Sequence, residues 1–213
     1  MAQTYLHKTE CIRLDAEPEP WPPEPGTIDP DPVAGLDQTY AALLAQFDAH
    51  VPADHAPTWN DDDQTVGFWI RRMAQETVIH RVDAELALGV PVTEVSPVPE
   101  DLAVDGIDEL LSVFMAFASV SYPEEFGGLL DAPDERPLAL ISGEHAWSVR
   151  ATKKGILIEE TSAAAAGAEA IVAASAQHLL LWLWNRADDT TVACDGDAAL
   201  LDQFHALRAA CTR

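Results

Sequence analysis

The sequence predicts an α+β protein in which a helical bundle precedes a small α+β domain with an antiparallel sheet. Apolar residues recur at helical spacing as far as about residue 122, whereas short β-compatible runs follow from about residue 136. Helices and strands that are separated along the chain are typical of α+β folds. We therefore expect a helical domain over 1–125 and an α+β domain over 135–213.

Four helices are predicted in the first part. The segment 4–14 has a helical pattern from its first residue without a capping residue ahead of it, so we expect the chain to begin within a helix. Seven prolines then make 16–34 an extended crossing. Further helices are predicted over 36–51, 63–88 and 99–122.

The second part alternates between short strands and two helices. The strands are separated by glycines and small residues, and the closing helix begins after Asp197, which suits an N-cap. The predicted strands cover 136–143, 145–152, 155–161, 168–175 and 190–196, and the predicted helices cover 175–186 and 197–211.

Composition limits the partners and the location. Asp and Glu number 36 against 12 Lys and Arg, for a formal net charge of −24. Because nucleic acids and acidic membranes would be repelled, we expect neither as a partner, and the simplest role of the charge is a solvated surface. Three widely spaced cysteines and the lack of a signal-peptide pattern predict a cytoplasmic protein. The longest apolar stretch, 163–184, has too many polar interruptions for a membrane span.

Two polar residues stand out in the helix predicted over 63–88. At 100° per residue, Glu76 and His80 fall with Trp69 and Met73 in a band of about 120°. This position predicts a carboxylate and an imidazole in the interior, at a cost of several kcal/mol unless they are satisfied. The opposite side is also partly apolar, so we expect this helix to pack on two sides.

Three arrangements could satisfy the pair. Glu and His at positions i and i+4 present an oxygen and a nitrogen to one point, as in zinc sites carried by helices. The alternatives are an internal pair between Glu76 and His80, or a bond from Glu76 to an arginine such as Arg72. Asp83, one turn further on, is expected either to orient His80 or to be a solvated acid.

Three segments resemble one known family. The stretch "TVGFWIRRMAQETVIHRVDAELA" over 65–87 is similar to the signature of the mycothiol-dependent maleylpyruvate isomerase family, which is related to the DinB-like metal-binding bundles. The stretches "HLLLWLWNR" over 178–186 and "DGDAALLDQF" over 195–204 resemble its C-terminal domain of sterol-carrier type. The resemblance implies a DinB-like up-and-down bundle whose first helix is missing or partial here.

The resemblance also implies a zinc site, or one for another divalent metal, with three protein ligands. Two of them correspond to Glu76 and His80. The third is a histidine on an earlier helix, and its position falls at or just before Met1. Either the start is truncated or this member has lost the ligand. His7, two turns further along, is the alternative third ligand, or else a structural or surface histidine.

In this family the metal activates a low-molecular-weight thiol, mycothiol, which serves as cofactor. The resemblance therefore implies an isomerase or S-transferase that acts on a small anionic substrate, which the sequence does not identify. Arg186 is the expected catalytic residue, with a cation at a helix C-terminus as its structural alternative. The competing function is a non-catalytic metal- or small-ligand-binding module with a vestigial metal site. No sequence feature defines the oligomeric state, and a monomer is compatible with the pattern.

Overall fold

The computed structural model describes residues 1–161 and 167–212. The chain divides into two compact units, Met1–His80 and Arg81–Arg213. The predicted domain limits, 1–125 and 135–213, lie elsewhere because the helix predicted over 99–122 packs within the second unit. The domain limits therefore stay a prediction. The two compact units meet between His80 and Arg81, within the helix that covers Val66–Ala87.

Helices build the first unit. These are α1 Ala2–Leu14, α2 Pro32–Ala49 and the first part of α3 Val66–Ala87. Helix α1 packs against α2. Helix α2 begins earlier than predicted because the Asp31 carboxylate accepts hydrogen bonds from its first turn and Pro32 occupies its first position. The helix predicted over 4–14 is confirmed by α1.

The segment between α1 and α2 contains neither helix nor strand, as its prolines predict. Asp15 ends α1 in the left-handed conformation, with φ 51° and ψ 36°. Its backbone N–H donates to the Ile12 carbonyl, which closes the last turn. The chain therefore turns sharply at Asp15 and passes beside the end of the helix it has just left.

The second unit contains the remaining helices. One continuous helical stretch covers the region predicted over 99–122. It consists of α4 Glu100–Glu109, a π-helical segment Leu110–Phe117 and α5 Ala118–Ser121. Further along the chain lie α6 Ala176–Leu183 and α7 Ala198–Cys211. Helix α4 packs against α6, and both are in the same unit as the sheet.

The sheet has five strands in the order β3-β2-β1-β4-β5. They are β1 Leu138–Ser142, β2 His145–Thr152, β3 Gly155–Glu160, β4 Ala170–Ala173 and β5 Ala193–Gly196. Three pairings are antiparallel, but β1 and β4 are parallel, so the sheet is mixed. The prediction of an antiparallel sheet is wrong at this pairing. Strand pattern alone does not show that β4 adds to the far side of β1.

Large side chains fill the interior of the second unit. Trp147 of β2 and Trp182 of α6 are fully buried. The Arg208 guanidinium lies 4.0 Å above the Trp182 ring, and it donates a hydrogen bond to the Trp182 carbonyl at 2.7 Å. Across the described part of the chain, no helix combines the length and apolar character that crossing a bilayer requires.

Candidate metal centre

Glu76 lies between two partners on α3. Its Oε1 atom is 3.1 Å from His80 Nε2, one turn towards the C-terminus. Its Oε2 atom accepts a hydrogen bond from Arg72 Nη2 at 3.0 Å, one turn towards the N-terminus. Both non-metal partners considered from the sequence are therefore present together. The spacing i, i+4, i+8 places the three side chains in one row along the helix.

The predicted interior position of this pair is wrong. The side chains of Glu76 and His80 are 26% and 41% exposed, so they lie at the edge of the buried face. Arg72 and Gln75, in contrast, are 3% and 0% exposed. The spacing predicts a buried face centred on the apolar band around Trp69, but burial extends to the opposite side of α3. The sequence predicted that α3 packs on two sides. Because it does, Glu76 and His80 lie at the edge of the buried surface and not at its centre.

Two polar side chains of α1 lie along α3. Tyr5 Oη is hydrogen-bonded to Thr77 Oγ1 at 2.7 Å, and Lys8 Nζ lies 4.2 Å from the centre of the Trp69 ring. Burial raises the pKa of Tyr5 and lowers the pKa of Lys8, and the charge of Glu76 acts on both groups. Helix α1 therefore brings an ammonium and a phenol into the electrostatic field of Glu76.

His7 belongs to a different group of side chains. Its Nδ1 atom is 3.4 Å from Cys11 Sγ, and its Nε2 atom is 3.3 Å from Glu17 Oε2. Within residues 1–161 and 167–212, these are the three His, Cys, Asp or Glu side chains whose ligand atoms lie within 4.8 Å of one another. The role of His7 as third ligand to Glu76 and His80 remains a prediction, and the described residues supply no such trio around that pair.

Burial changes the acidity of this second group. Burial lowers the pKa of His7, and the neighbouring Lys8 lowers it further. The pKa of Cys11 is raised to about 12, mainly by burial and next by the negative charge of Glu17. Cys11 is therefore a thiol at neutral pH, and His7 favours its neutral form. The sequence did not indicate that Glu17 approaches His7 and Cys11, because Glu17 belongs to the proline-rich crossing, whose path cannot be predicted from spacing.

Arg186 follows α6 and is held at two points. Its Nε and Nη2 atoms donate to the two carboxylate oxygens of Asp83 at 2.8 and 3.0 Å. Its Nη1 atom donates to the Trp184 carbonyl at 2.7 Å, at the C-terminal end of the helix. This contact agrees with the helix-terminal role considered as the alternative for Arg186. Asp83, expected to orient His80 or to be solvated, instead forms an ion pair that no sequence spacing indicated.

The Glu76–His80 pair meets part of the requirement for zinc. Bonds of about 2.0–2.1 Å in a tetrahedral site place neighbouring oxygen and nitrogen ligands about 3.3 Å apart. The observed 3.1 Å between Oε1 and Nε2 is close to this separation. A catalytic zinc normally has three protein ligands, however, and two are present here. The pair thus fits two corners of such a site.

Two family models match most of the chain. The first, described as the mycothiol maleylpyruvate isomerase N-terminal domain, matches residues 2–85, and the second, described as the MDMPI C-terminal domain, matches residues 101–203. No curated protein matches the chain. A solved chain titled UbiJ-SCP2 ubiquinone synthesis protein is 18% identical, with a TM-score of 0.31, over 53% of this chain and 93% of that chain. By the two family matches, the chain belongs to the mycothiol maleylpyruvate isomerase family.

Proposed function

We propose that the protein is a metal-dependent isomerase or S-transferase that uses mycothiol as its thiol cofactor. Its substrate would be a small anion whose identity is open. Family membership supports this class of chemistry. The observation that carries the proposal is the Glu76–His80 pair, whose ligand atoms lie 3.1 Å apart on one face of α3.

In this proposal, Glu76 and His80 hold zinc or another divalent metal. When bound, such an ion supplies positive charge that lowers the pKa of a coordinated thiol, so that thiolate is available at neutral pH. Arg72 has a positioning role. By donating to Oε2 it keeps the Glu76 carboxylate in the orientation in which Oε1 is directed at His80.

Arg186 is the proposed catalytic residue, and its task would be to bind a carboxylate of the substrate. A guanidinium suits this role because its planar set of N–H donors matches a carboxylate. Asp83 would fix the plane of the guanidinium through its two hydrogen bonds. The net charge of −24 makes such a local cation necessary for binding an anion.

Metal analysis tests the proposal directly. The purified protein is loaded with zinc, dialysed and measured together with Glu76→Gln and His80→Ala. We expect both variants to lose the zinc that depends on this pair. Matched controls are Glu94→Gln and His178→Ala, which change the same residue types elsewhere in the chain and should leave the zinc content unchanged. Equal zinc in all five proteins would refute the proposed metal centre.

A second function is favoured by one observation. Arg72 already occupies Glu76 Oε2, and the described residues bring no third ligand to the pair. This arrangement suits a non-catalytic binding module in which the metal site is vestigial. Mycothiol binding distinguishes the two functions. If calorimetry of the zinc-loaded protein detects no mycothiol binding, and no transfer occurs in a substrate screen, the binding module replaces the enzyme.

A further inference from the structure

We propose that His7, Cys11 and Glu17 form a second metal site, which takes a borderline-soft divalent ion such as zinc. This site shares no residue with the Glu76–His80 pair. The proposal therefore stands on its own observations and does not depend on the proposed enzymatic function.

The backbone brings the three side chains together in a simple way. His7 and Cys11 are one turn apart on α1, so both face the same direction. The left-handed residue Asp15 ends the helix and redirects the chain. Glu17 then comes back beside Cys11, with its Oε2 atom 3.7 Å from Sγ. A helix and the turn that follows it thus supply all three ligands.

The distances are close to those of a zinc tetrahedron. Zinc bonds of about 2.3 Å to sulfur and about 2.0–2.1 Å to nitrogen and oxygen place the ligand atoms roughly 3.3–3.6 Å apart. The measured separations are 3.4 Å from Cys11 Sγ to His7 Nδ1, 3.3 Å from His7 Nε2 to Glu17 Oε2 and 3.7 Å from Cys11 Sγ to Glu17 Oε2, so the first two involve different nitrogens of the imidazole. One ligand atom from each residue lies within 4.8 Å of the other two, so side-chain rotations that bring the coordinating imidazole nitrogen nearer to Cys11 Sγ would complete the site.

The chemistry and the burial of the three groups also suit zinc. Thiolate, imidazole and carboxylate are the donors that zinc uses in proteins. Cys11 is fully buried and the His7 side chain is 17% exposed, whereas the Glu17 side chain is 58% exposed. The His7 and Trp21 rings pack edge to face with their centroids 4.5 Å apart, which restricts the orientation of the imidazole. The sulfur is thus held inside while the carboxylate faces the solvent from which an ion enters.

The positive charge of Lys8 would repel a metal ion bound by His7, Cys11 and Glu17. Its Nζ atom lies 3.0 Å from His7 Nδ1, so we assign the other nitrogen, Nε2, to the metal. Binding then replaces the contact between the Cys11 thiol and Glu17 by bonds from both to the ion. The thiol proton is released to solvent, and the thiolate sulfur provides the electron pair of the new bond.

Cobalt(II) is the probe for the test, because a thiolate bound to cobalt gives a charge-transfer absorption in the near ultraviolet that oxygen and nitrogen ligands do not give. We expect one equivalent of cobalt to produce this band in the whole chain. Cys11→Ser should abolish it, whereas Cys194→Ser and Cys211→Ser should keep it. A band that persists in Cys11→Ser, or no band in the unchanged protein, overturns the proposal.

Glu17→Gln is the second variant, because its exposed side chain can change without disturbing the fold. We expect cobalt affinity to fall at least tenfold. Loss of a residue that only hydrogen-bonds to a metal ligand typically costs about 10–100-fold, and a ligand should matter at least as much. Glu19→Gln, two residues further along the same segment, is the matched control and should bind as before. Unchanged affinity in both variants would overturn the proposal even if Cys11→Ser fails to fold.

Two further variants separate this site from the family site. Glu76→Gln and His80→Ala should retain the charge-transfer band, because neither residue is a ligand here. Lys8→Met keeps the aliphatic stem but removes the opposing charge, so it should tighten cobalt binding. Weaker binding by Lys8→Met would contradict the assigned position of the ion beside His7.

Discussion

Asp83 and Arg186 form a two-point ion pair between residues 103 positions apart, with N–O distances of 2.8 and 3.0 Å. Their side chains are 33% and 24% exposed, so solvent screens the pair only in part. Paired hydrogen bonds between a guanidinium and a carboxylate are stronger than bonds between neutral groups. This contact joins α3 to the segment after α6 within the second unit.

Breaking this pair should lower the stability of the protein. We expect Asp83→Asn and Arg186→Gln each to reduce the free energy of unfolding by roughly 1–2 kcal/mol, as for hydrogen bonds to charged groups. Urea unfolding of both single variants and of the double variant measures the coupling. If the two losses simply add, the contact contributes nothing of its own.

The catalytic role proposed for Arg186 requires a different readout. Asp83→Asn leaves the guanidinium charge in place but loosens its orientation, whereas Arg186→Gln removes the charge. Once a substrate has been found, we expect Arg186→Gln to reduce kcat/KM by at least tenfold more than Asp83→Asn does, because only Arg186→Gln removes the charge that would bind the substrate. A tenfold difference corresponds to about 1.4 kcal/mol. Equal losses in the two variants would mean that Arg186 acts only by holding the structure.

Substitutions of Glu76 and His80, the two more exposed side chains of the row on α3, should lower the free energy of unfolding by different amounts. Glu76→Gln replaces the carboxylate that accepts a hydrogen bond from Arg72, a residue only 3% exposed, by an uncharged amide. We expect a loss of about 1–3 kcal/mol in metal-free buffer, because a buried charge that loses a partner is costly. His80→Ala should cost less, since its side chain is 41% exposed. Urea unfolding in the presence of a chelator measures both, and a larger loss for His80→Ala would contradict this view.

The three thiols should differ in reactivity. Burial raises the pKa of both Cys11 and Cys211 from 9.0 to about 12, which lowers the thiolate fraction about a thousandfold. The pKa of Cys194 is raised too, but its side chain is exposed. With a disulfide reagent near pH 8 and no metal, we expect one fast thiol in the folded protein. Cys194→Ser should remove the fast phase, and a second fast thiol would contradict the expected order.

Two glycines allow a steric clash to be separated from backbone strain. A Cβ atom on Gly155, at φ +127°, would lie 2.7 Å from Val120 Cγ2 and 2.9 Å from Ser119 Oγ. A Cβ atom on Gly89, at φ +84°, would meet nothing within 4 Å. Both alanine variants carry the cost of a positive φ, but only Gly155→Ala must also displace α5.

We therefore expect Gly155→Ala to lower the free energy of unfolding by roughly 1–3 kcal/mol more than Gly89→Ala does. The clash would also disturb the hydrogen bond that the Ile156 N–H donates to Ser119 Oγ at 2.8 Å. Thermal and urea unfolding of the two variants provide the comparison. Equal stabilities would show that β3 and α5 adjust to the added methyl group at no cost.

Local patterns predicted the order and type of the elements well. The helix over 63–88 and the strands β1 to β3 lie within a few residues of their expected places, because apolar periodicity and turn residues act locally. The parallel pairing of β1 with β4 was missed, since the choice of a neighbouring strand depends on the tertiary path of the chain.

The candidate sites show the same limit. The one-turn spacing of Glu76 and His80 predicted their proximity, and it allowed Arg72 as a partner. The pair between Asp83 and Arg186 could not be predicted, because it joins distant segments. The exposure of Glu76 and His80 could not be predicted either, because periodicity shows which residues share a face but not which face the rest of the protein covers.

The strand order has a consequence for how copies of this protein meet. The outermost strands are β3 and β5, and only outermost strands have backbone groups available to extend a sheet. Glu159 and Glu160 lie on β3 and Asp195 lies on β5, so both rims carry negative charge. Two molecules that approached rim to rim would bring like charges together. This charge opposes the addition of a further strand from another molecule, so part of the acidity of the chain acts against edge-to-edge association.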